Sequence, residues 1–437
     1  MSEQAGNTDR DRTAVELFAG GGGLAMAVHR AGFRPLLFNE FHKHACRTLE
    51  AGGAEPRGDS ERVPPPGAKV PLVEGDVRGL SMKYLNGLVD VVAGGPPCQP
   101  FSLGGVAKGD EDKRNMFPEM FRAIREISPK AVICENVTGL LRPSFRPYFD
   151  YILRELELPF EERQDTSWEV HDKQLQERLR TDSVDPHERY NVVVTKVNAA
   201  DYGVPQIRHR IIIVAFRSDL KVDLEAFKAA VRPRYSEIAL IRSMIDGRYW
   251  SAHPKVPDHV RKVVMARLPV TMPLDDGMKP WRTLRDAIYG VVDEHGQPRA
   301  PLPPVPWDEL DRVDRKPNGF SDHIGWPDAR IYPGHTPNYL DRPAKTVKAG
   351  VHGVPGGESV MLTDDRVRDE DSPTGWRYLH RYMTVRETAR VMTFPDDRVL
   401  CGPRGEQMRQ LGNAVPVLLG EVFARAVADA LDAAEDR

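Results

Sequence analysis

The sequence predicts an α/β protein, a doubly wound sheet joined to a smaller, irregular domain. Short apolar runs alternate with helical patterns from Ala14 to about Phe216, the order that builds βαβ units. These runs end in glycines, acids or a cysteine, and open α/β sheets carry their binding groups at such strand ends. From about Leu220 to Asp341 the alternation fades, and Pro233, Pro254, Pro257, Pro269, Pro273 and the Pro301 to Pro306 run punctuate the chain. At 437 residues it is long enough for two cores. No internal repeat is evident.

Met1 to Arg12 is polar, lacks the apolar core of a signal peptide, and reads as a disordered start. Ala14 to Phe18 is the first strand, and Ala19-Gly20-Gly21-Gly22-Gly23-Leu24 turns the chain into a helix running to about Arg30. Glycines there let the backbone approach a ligand and open a helix whose N–H groups face outward. A second strand, Pro35 to Asn39, ends in Glu40, twenty residues after Gly20. At that spacing an acid reaches the two hydroxyls of a nucleotide ribose. Ala51 to Pro71, rich in Gly, Pro and charge, reads as a surface loop, and Asp76 follows the expected third strand. Loop, Glu40 and Asp76 together suit an adenosine-containing cofactor, NAD or S-adenosylmethionine; these residues do not choose between them.

Val89 to Ala93 is a buried strand leading into Gly94-Gly95-Pro96-Pro97-Cys98-Gln99-Pro100-Phe101-Ser102. A cysteine behind two prolines is held stiffly at the sheet edge, which makes Cys98 a candidate nucleophile. The alternative is a small hydrophobe with no chemical role. A helix from Phe117 carries Met120, Phe121, Ile124 and Ile127 at helical spacing. Lys130 to Val137 is a strand that brings Glu135 to the same edge, as proton donor or acceptor or as a helix cap. Arg142 to Tyr190 is a long stretch with helix-like pieces such as Tyr148 to Leu156. It reads as an inert surface insertion before a lid or DNA contact, because long surface insertions cost little. In Gln206-Ile207-Arg208-His209-Arg210, running into Ile211 to Phe216, alternate residues share a face. Two guanidiniums there suit a carbonyl oxygen or phosphate, or else pair with surface acids.

Sixty-one basic and sixty-four acidic residues leave a net charge of −3, so the whole chain is not a polycation. The charge is uneven, however. Lys228 to Arg267 holds nine Lys/Arg against three Asp/Glu, with Tyr235, Tyr249 and Trp250 interleaved. That reads as a DNA-facing surface or as a solvated basic face with structural aromatics. Cys46, Cys98, Cys134 and Cys401 have neither metal spacing nor a disulfide framework, which implies a reducing compartment. No apolar run is long enough to span a bilayer, so a soluble, cytoplasmic protein is expected.

The motifs as a set resemble those of the DNA (cytosine-5) methyltransferases of the bacterial modification type. They are Phe18-Ala19-Gly20, Asn39-Glu40, Gly75-Asp76-Val77, the Pro-Pro-Cys-Gln-Pro-Phe-Ser run, Arg114 to Phe117, Glu135-Asn136-Val137 and Gln206 to Arg210. Arg342-Pro343-Ala344-Lys345-Thr346-Val347, Tyr382 to Glu387, Thr393 to Asp396 and Gly412-Asn413-Ala414-Val415-Pro416 follow in the family's order. The resemblance implies a Rossmann-like methyltransferase sheet over residues 13–219 and a target-recognition domain over 220–375. Residues 376–437 would return to the sheet, their last helix opening at Pro416.

It also implies the chemistry. Cys98 would add to carbon 6 of a cytosine rotated out of duplex DNA, a device known for methyltransferases as a class. Glu135 would serve N3, and Arg208 and Arg210 would hold O2 and the adjoining backbone. S-adenosyl-L-methionine, leaving as S-adenosyl-L-homocysteine, would be held by Phe18, Gly20, Gly22, Gly23, Leu24, Glu40, Phe41, Asp76, Val77, Pro96, Asn413 and Ala414. No metal is expected. Double-stranded DNA is the expected partner of a monomer associated with the nucleoid, with a separate restriction endonuclease as a further possibility. Three alternatives are a transfer-RNA cytosine methyltransferase, a dead DNA-binding regulator and a nicotinamide oxidoreductase. A regulator would be expected to lack Cys98 or Glu135, and an oxidoreductase has no use for Cys98, Glu135 and Arg208 together.

Overall fold

The computed structural model describes residues 11–57, 61–97, 115–181, 184–349 and 359–437. One mixed sheet of eight strands organises them, comprising β1 (Thr13–Leu17), β2 (Arg34–Glu40), β3 (Glu55–Pro56), β4 (Pro71–Glu74), β5 (Val91–Gly94), β6 (Ala131–Val137), β7 (Tyr190–Asn198) and β8 (His209–Arg217). Their order is β3-β4-β2-β1-β5-β6-β8-β7. All neighbours are parallel except that β8 runs antiparallel to both β6 and β7. The strand order reverses between β1 and β5, and ligands of such sheets bind in the crevice at that point.

Near-continuous apolar strands suit a sheet covered on both faces. Val15, Leu17, Val92, Val132, Ile211 and Ile213 feed one core, while Ala14, Val91, Ala93, Ile133, Ile212 and Val214 feed the other. This division follows from the alternation of side chains along each strand. Helices α1 (Gly23–Arg30) and Val417–Glu435 share the second core, whereas α3 (Phe117–Ile127) and α4 (Arg146–Glu157) fill the first; α2 (Lys43–Ala51) contributes to a small separate cluster with Leu72. The two ends of the described chain meet through Arg12, whose guanidinium pairs with Asp432 and, at 3.2 Å, Glu435.

Two readings need correction. The Ala51 to Pro71 loop contains β3, whose short pairing with β4 extends the sheet edge. The Arg142 to Tyr190 stretch does not lie on the surface throughout. Its helix α4 is the crossover between β6 and β7, and it buries Tyr148, Phe149, Tyr151, Ile152 and Leu156 in the sheet core. A second helix, α5 (Trp168–Leu179), is tied to α4 by Arg154–Asp172 at 2.6 Å and by the Tyr151 hydroxyl–His171 contact at 3.1 Å.

After β8, helices Glu237–Ile245, Arg248–Ala252 and Asp258–Met265 surround Leu240, Met244, Tyr249 and Trp250. The interleaved aromatics Tyr249 and Trp250 are therefore core, only 6% and 5% exposed, and not DNA-facing. Arg248, Lys255, Arg261, Lys262 and Arg267 stay at the surface. A hairpin of Val360–Arg368 and Trp376–Tyr382 closes over these helices, so that Leu362 and Tyr378 line one apolar cavity with Leu240 and Val264. A boundary between residues 375 and 376 would separate the two strands of this hairpin, since the second begins at Trp376.

Candidate active site

Glu135 and Arg210 form a close pair at the sheet edge, Arg210 Nε lying 2.7 Å from Glu135 Oε1 with both side chains largely buried. The antiparallel pairing explains the contact. Val137 stands opposite Arg210 in the β6–β8 ladder, so Arg210 and Glu135 are diagonal neighbours on one face. Gly95, at the end of β5, leaves space above the carboxylate: a Cβ there would still be 3.7 Å from Glu135 Oε2. The neighbouring Asn136 donates from Nδ2 to the carbonyl of buried Pro96 at 3.1 Å, fixing the backbone two residues ahead of Cys98. Met116 N–H donates to the Pro97 carbonyl at 3.3 Å, so the chain leaves and re-enters at one place. Cys98 and Arg114 themselves lie outside the described residues.

Gln206, Arg208 and Arg210 do project together, but their tasks differ. Arg208 is 1% exposed, and its terminal nitrogens donate to the carbonyls of Val347 (2.9 Å), Gly412 (2.7 Å) and Ala414 (3.0 Å). Those donors are therefore occupied within the protein, not presented to a ligand. Burial, then the charge of Arg210, pushes Arg208 down to about 9, with Glu135 opposing. Gln206 accepts from Val347 N–H at 3.1 Å, and Ile207 N–H donates to Ala344 at 2.8 Å. The Arg342 to Val347 motif is thus zipped along the approach to β8.

The glycine loop follows β1. Phe18 has φ +56°, a left-handed conformation uncommon for a bulky residue. Gly20 and Gly22, at φ +54° and +86°, continue the turn into α1, which Gly22 caps without a side chain. Glu40 is held by two backbone donors, Gly20 N–H to Oε2 and His42 N–H to Oε1, both at 2.7 Å. Gly23 is required by the C-terminal motif, since a Cβ there would stand 2.3 Å from the Val415 carbonyl oxygen. Ala414 is buried beside it, Asn413 is exposed, and Leu24 packs in the α1 core. Phe41 presents a ring that is 65% exposed. Asp76 accepts from Arg78 N–H at 3.0 Å and Arg78 Nη1 at 3.1 Å, its side chain 44% exposed, while Val77 is buried. An anchored carboxylate and an open aromatic ring at the end of β2, with a half-exposed acid just past the neighbouring β4, fit an adenosine group.

A family model for C-5 cytosine-specific DNA methylases matches residues 13–158 and 182–429. The chain belongs to the C-5 cytosine-specific DNA methylase family. It is 29% identical over 433 residues to the type II methyltransferase M.PspPI of a Psychrobacter strain, covering 99% of this chain and 82% of that one. It is 28% identical over 428 residues to M.Eco47II of Escherichia coli, covering 96% and 79%. The fold is similar to that of the Dnmt2 methyltransferase of S. pombe, with a TM-score of 0.51 at 13% identity over 97% of this chain and 99% of that one.

Among the described residues of this methylase, no group of three or more His, Cys, Asp and Glu side chains is placed to hold a metal ion. No described helix is long and apolar enough to cross a membrane. Two residues at the glycine loop escaped the motif reading. Glu16, the last residue but one of β1, is 4% exposed; burial pushes its carboxyl well above the ordinary range, the Ala25 amide opposing. An acid inside an apolar strand was a visible signal. Arg398, which reaches Gly21 from the far end of the chain, carried none.

Proposed function

We propose that this methylase transfers a methyl group from S-adenosylmethionine to carbon 5 of a cytosine rotated out of a specific duplex sequence, as the DNA-marking half of a restriction–modification pair. The Glu135–Arg210 pair at 2.7 Å, beside the strand end that leads into Pro96-Pro97-Cys98, is the observation that carries this reading. The type II names of its relatives support the restriction–modification setting.

The protein's own groups supply the nucleophile, the proton at N3 and the grip on the cofactor. Bound S-adenosylmethionine supplies an electrophilic methyl group. The Cys98 thiolate adds to carbon 6 while Glu135 delivers a proton to N3, so that electron density collects at carbon 5. Arg210, with Nε on Glu135 and Nη1 donating to the His209 carbonyl at 2.8 Å, has Nη2 left for O2; Arg208 supports it from behind by holding the Val347, Gly412 and Ala414 carbonyls. After methyl transfer a base removes the carbon 5 proton, the electron pair of that bond restores the carbon 5–carbon 6 double bond, the pair of the carbon–sulfur bond leaves with Cys98, and the N3 proton returns to Glu135. Glu40 orients the ribose, Phe41 stacks on the adenine and Asp76 meets its edge.

Cys98→Ser should abolish methyl transfer, because an alcohol ionises far less than a thiol at neutral pH. Duplex DNA with 5-fluorocytosine at the target should trap the wild type, but not the variant, in a denaturant-resistant adduct. Near-normal turnover by Cys98→Ser would overturn the mechanism, and methylation of transfer RNA in preference to duplex DNA would overturn the substrate.

A further inference from the structure

We propose that Arg398 is a positioning residue for the cofactor, clamping the glycine loop from behind and joining it to the C-terminus of α2. The inference rests on the proposed binding of S-adenosylmethionine at this loop. Arg398 Nη2 donates to the Gly21 carbonyl at 2.9 Å. The guanidinium fills the space that side chains on two glycines would need: a Cβ on Gly22 would stand 2.7 Å from Nη2, and one on Gly52 only 1.6 Å from Nη1. Gly22 is the N-cap of α1 and Gly52 the C-cap of α2. One side chain therefore touches the end of one helix and the start of another, across the turn that faces the ligand.

The charge is matched to that position. A helix C-terminus favours a cation, and α2 has no basic residue in its own last turn. Arg398 has no ion pair with a described carboxylate, its Nε is buried without a hydrogen-bond partner, and burial lowers its pKa against the opposing charges of Cys401 and Asp397. A half-buried cation with no carboxylate in ion-pair contact is costly, and the Gly21 carbonyl and the α2 terminus are the partners it meets. Its backbone is held in turn, because Arg386 Nη2 donates to the Arg398 carbonyl at 2.7 Å and Nη1 to Pro395 at 3.0 Å. The Gly21–Gly22 peptide is thus oriented from outside the loop, and with it the first N–H groups of α1, which a helix leaves without internal partners.

Calorimetry with S-adenosylhomocysteine on the full-length protein tests the clamp. Arg398→Ala should weaken binding tenfold or more, and should raise KM for S-adenosylmethionine while KM for duplex DNA moves less than twofold; Arg398→Lys should recover part of the loss. Gly52→Ala gives an independent perturbation. Gly52 has φ −86° and ψ 7°, which alanine tolerates, so the new methyl group acts by displacing the guanidinium. It should weaken binding similarly, and adding it to Arg398→Ala should cost nothing further. Wild-type affinity in both single variants, or full additivity in the double variant, overturns the clamp. If Arg398→Ala does not fold, the affinity of Gly52→Ala decides alone. Absence of binding by the wild type, or an unchanged affinity in Glu40→Ala, would instead overturn the cofactor site on which the clamp depends.

Discussion

At the scale of the residue, Glu16 shows how a polar group inside a strand sets a pH dependence. Its Oε2 is buried and has no hydrogen-bond partner among the described residues, so the charged form is disfavoured in the folded protein. The folded state then holds a proton that the unfolded chain releases at ordinary carboxylate pH. The resulting stabilisation is complete below the unfolded pKa and is lost as pH rises toward the folded one. Glu16→Gln cannot ionise and should not show this loss. Melting temperatures measured from about pH 5 to about pH 8 should therefore fall for the wild type relative to the variant. Parallel pH profiles for the two proteins would mean that Glu16 is not buried as a proton-holding acid.

At the scale of the element, α4 tests the reading of the Arg142 to Tyr190 stretch. Phe149 is 1% exposed within the sheet core, so Phe149→Ala removes a large apolar side chain and leaves a cavity. Such changes cost about 3–5 kcal/mol. A substitution in an inert surface insertion would stay within about 0.5 kcal/mol. Urea unfolding separates these outcomes, and the smaller value would return the stretch to the surface. The sequence carried the relevant signal, since Tyr148, Phe149, Ile152 and Leu156 lie at helical spacing. What it lacked was the partner: a stripe becomes a core face only when something packs on it.

At the scale of the whole molecule, the expected division of labour places sequence choice in residues 220–341. In the proposed mechanism the sheet domain's groups serve the cofactor and the rotated cytosine, whose contacts are the same at every site. Flanking bases must be read by other side chains, and each good bidentate contact with a base edge discriminates by about 1–3 kcal/mol. Surface arginines such as Arg248, Arg261 and Arg267 have the fork that reads guanine. Exchanging this segment for that of a relative with another target should move the methylation pattern in bisulfite sequencing. The hairpin of Val360–Arg368 and Trp376–Tyr382 should travel with it, because Leu362 and Tyr378 line the same cavity as Leu240 of Glu237–Ile245 and Val264 of Asp258–Met265. An active chimera that still methylates the original word would place recognition elsewhere.

The α/β class, the doubly wound sheet and the placing of Gly20, Glu40, Asp76, Pro96 and Glu135 at or near strand ends were legible in the sequence. Apolar runs, glycine turns and acid spacings are local properties, and local properties can be read one residue after another. Tertiary structure alone decided that β8 is inserted antiparallel between β6 and β7, which sets Arg210 against Glu135. It also decided that Arg208 binds carbonyls of Val347, Gly412 and Ala414, and that Tyr249 and Trp250 fill a core. Arg398 on Gly21 belongs with these. Each depends on where a distant segment lands, and the same guanidinium or ring serves a ligand or the protein according to which partner reaches it first.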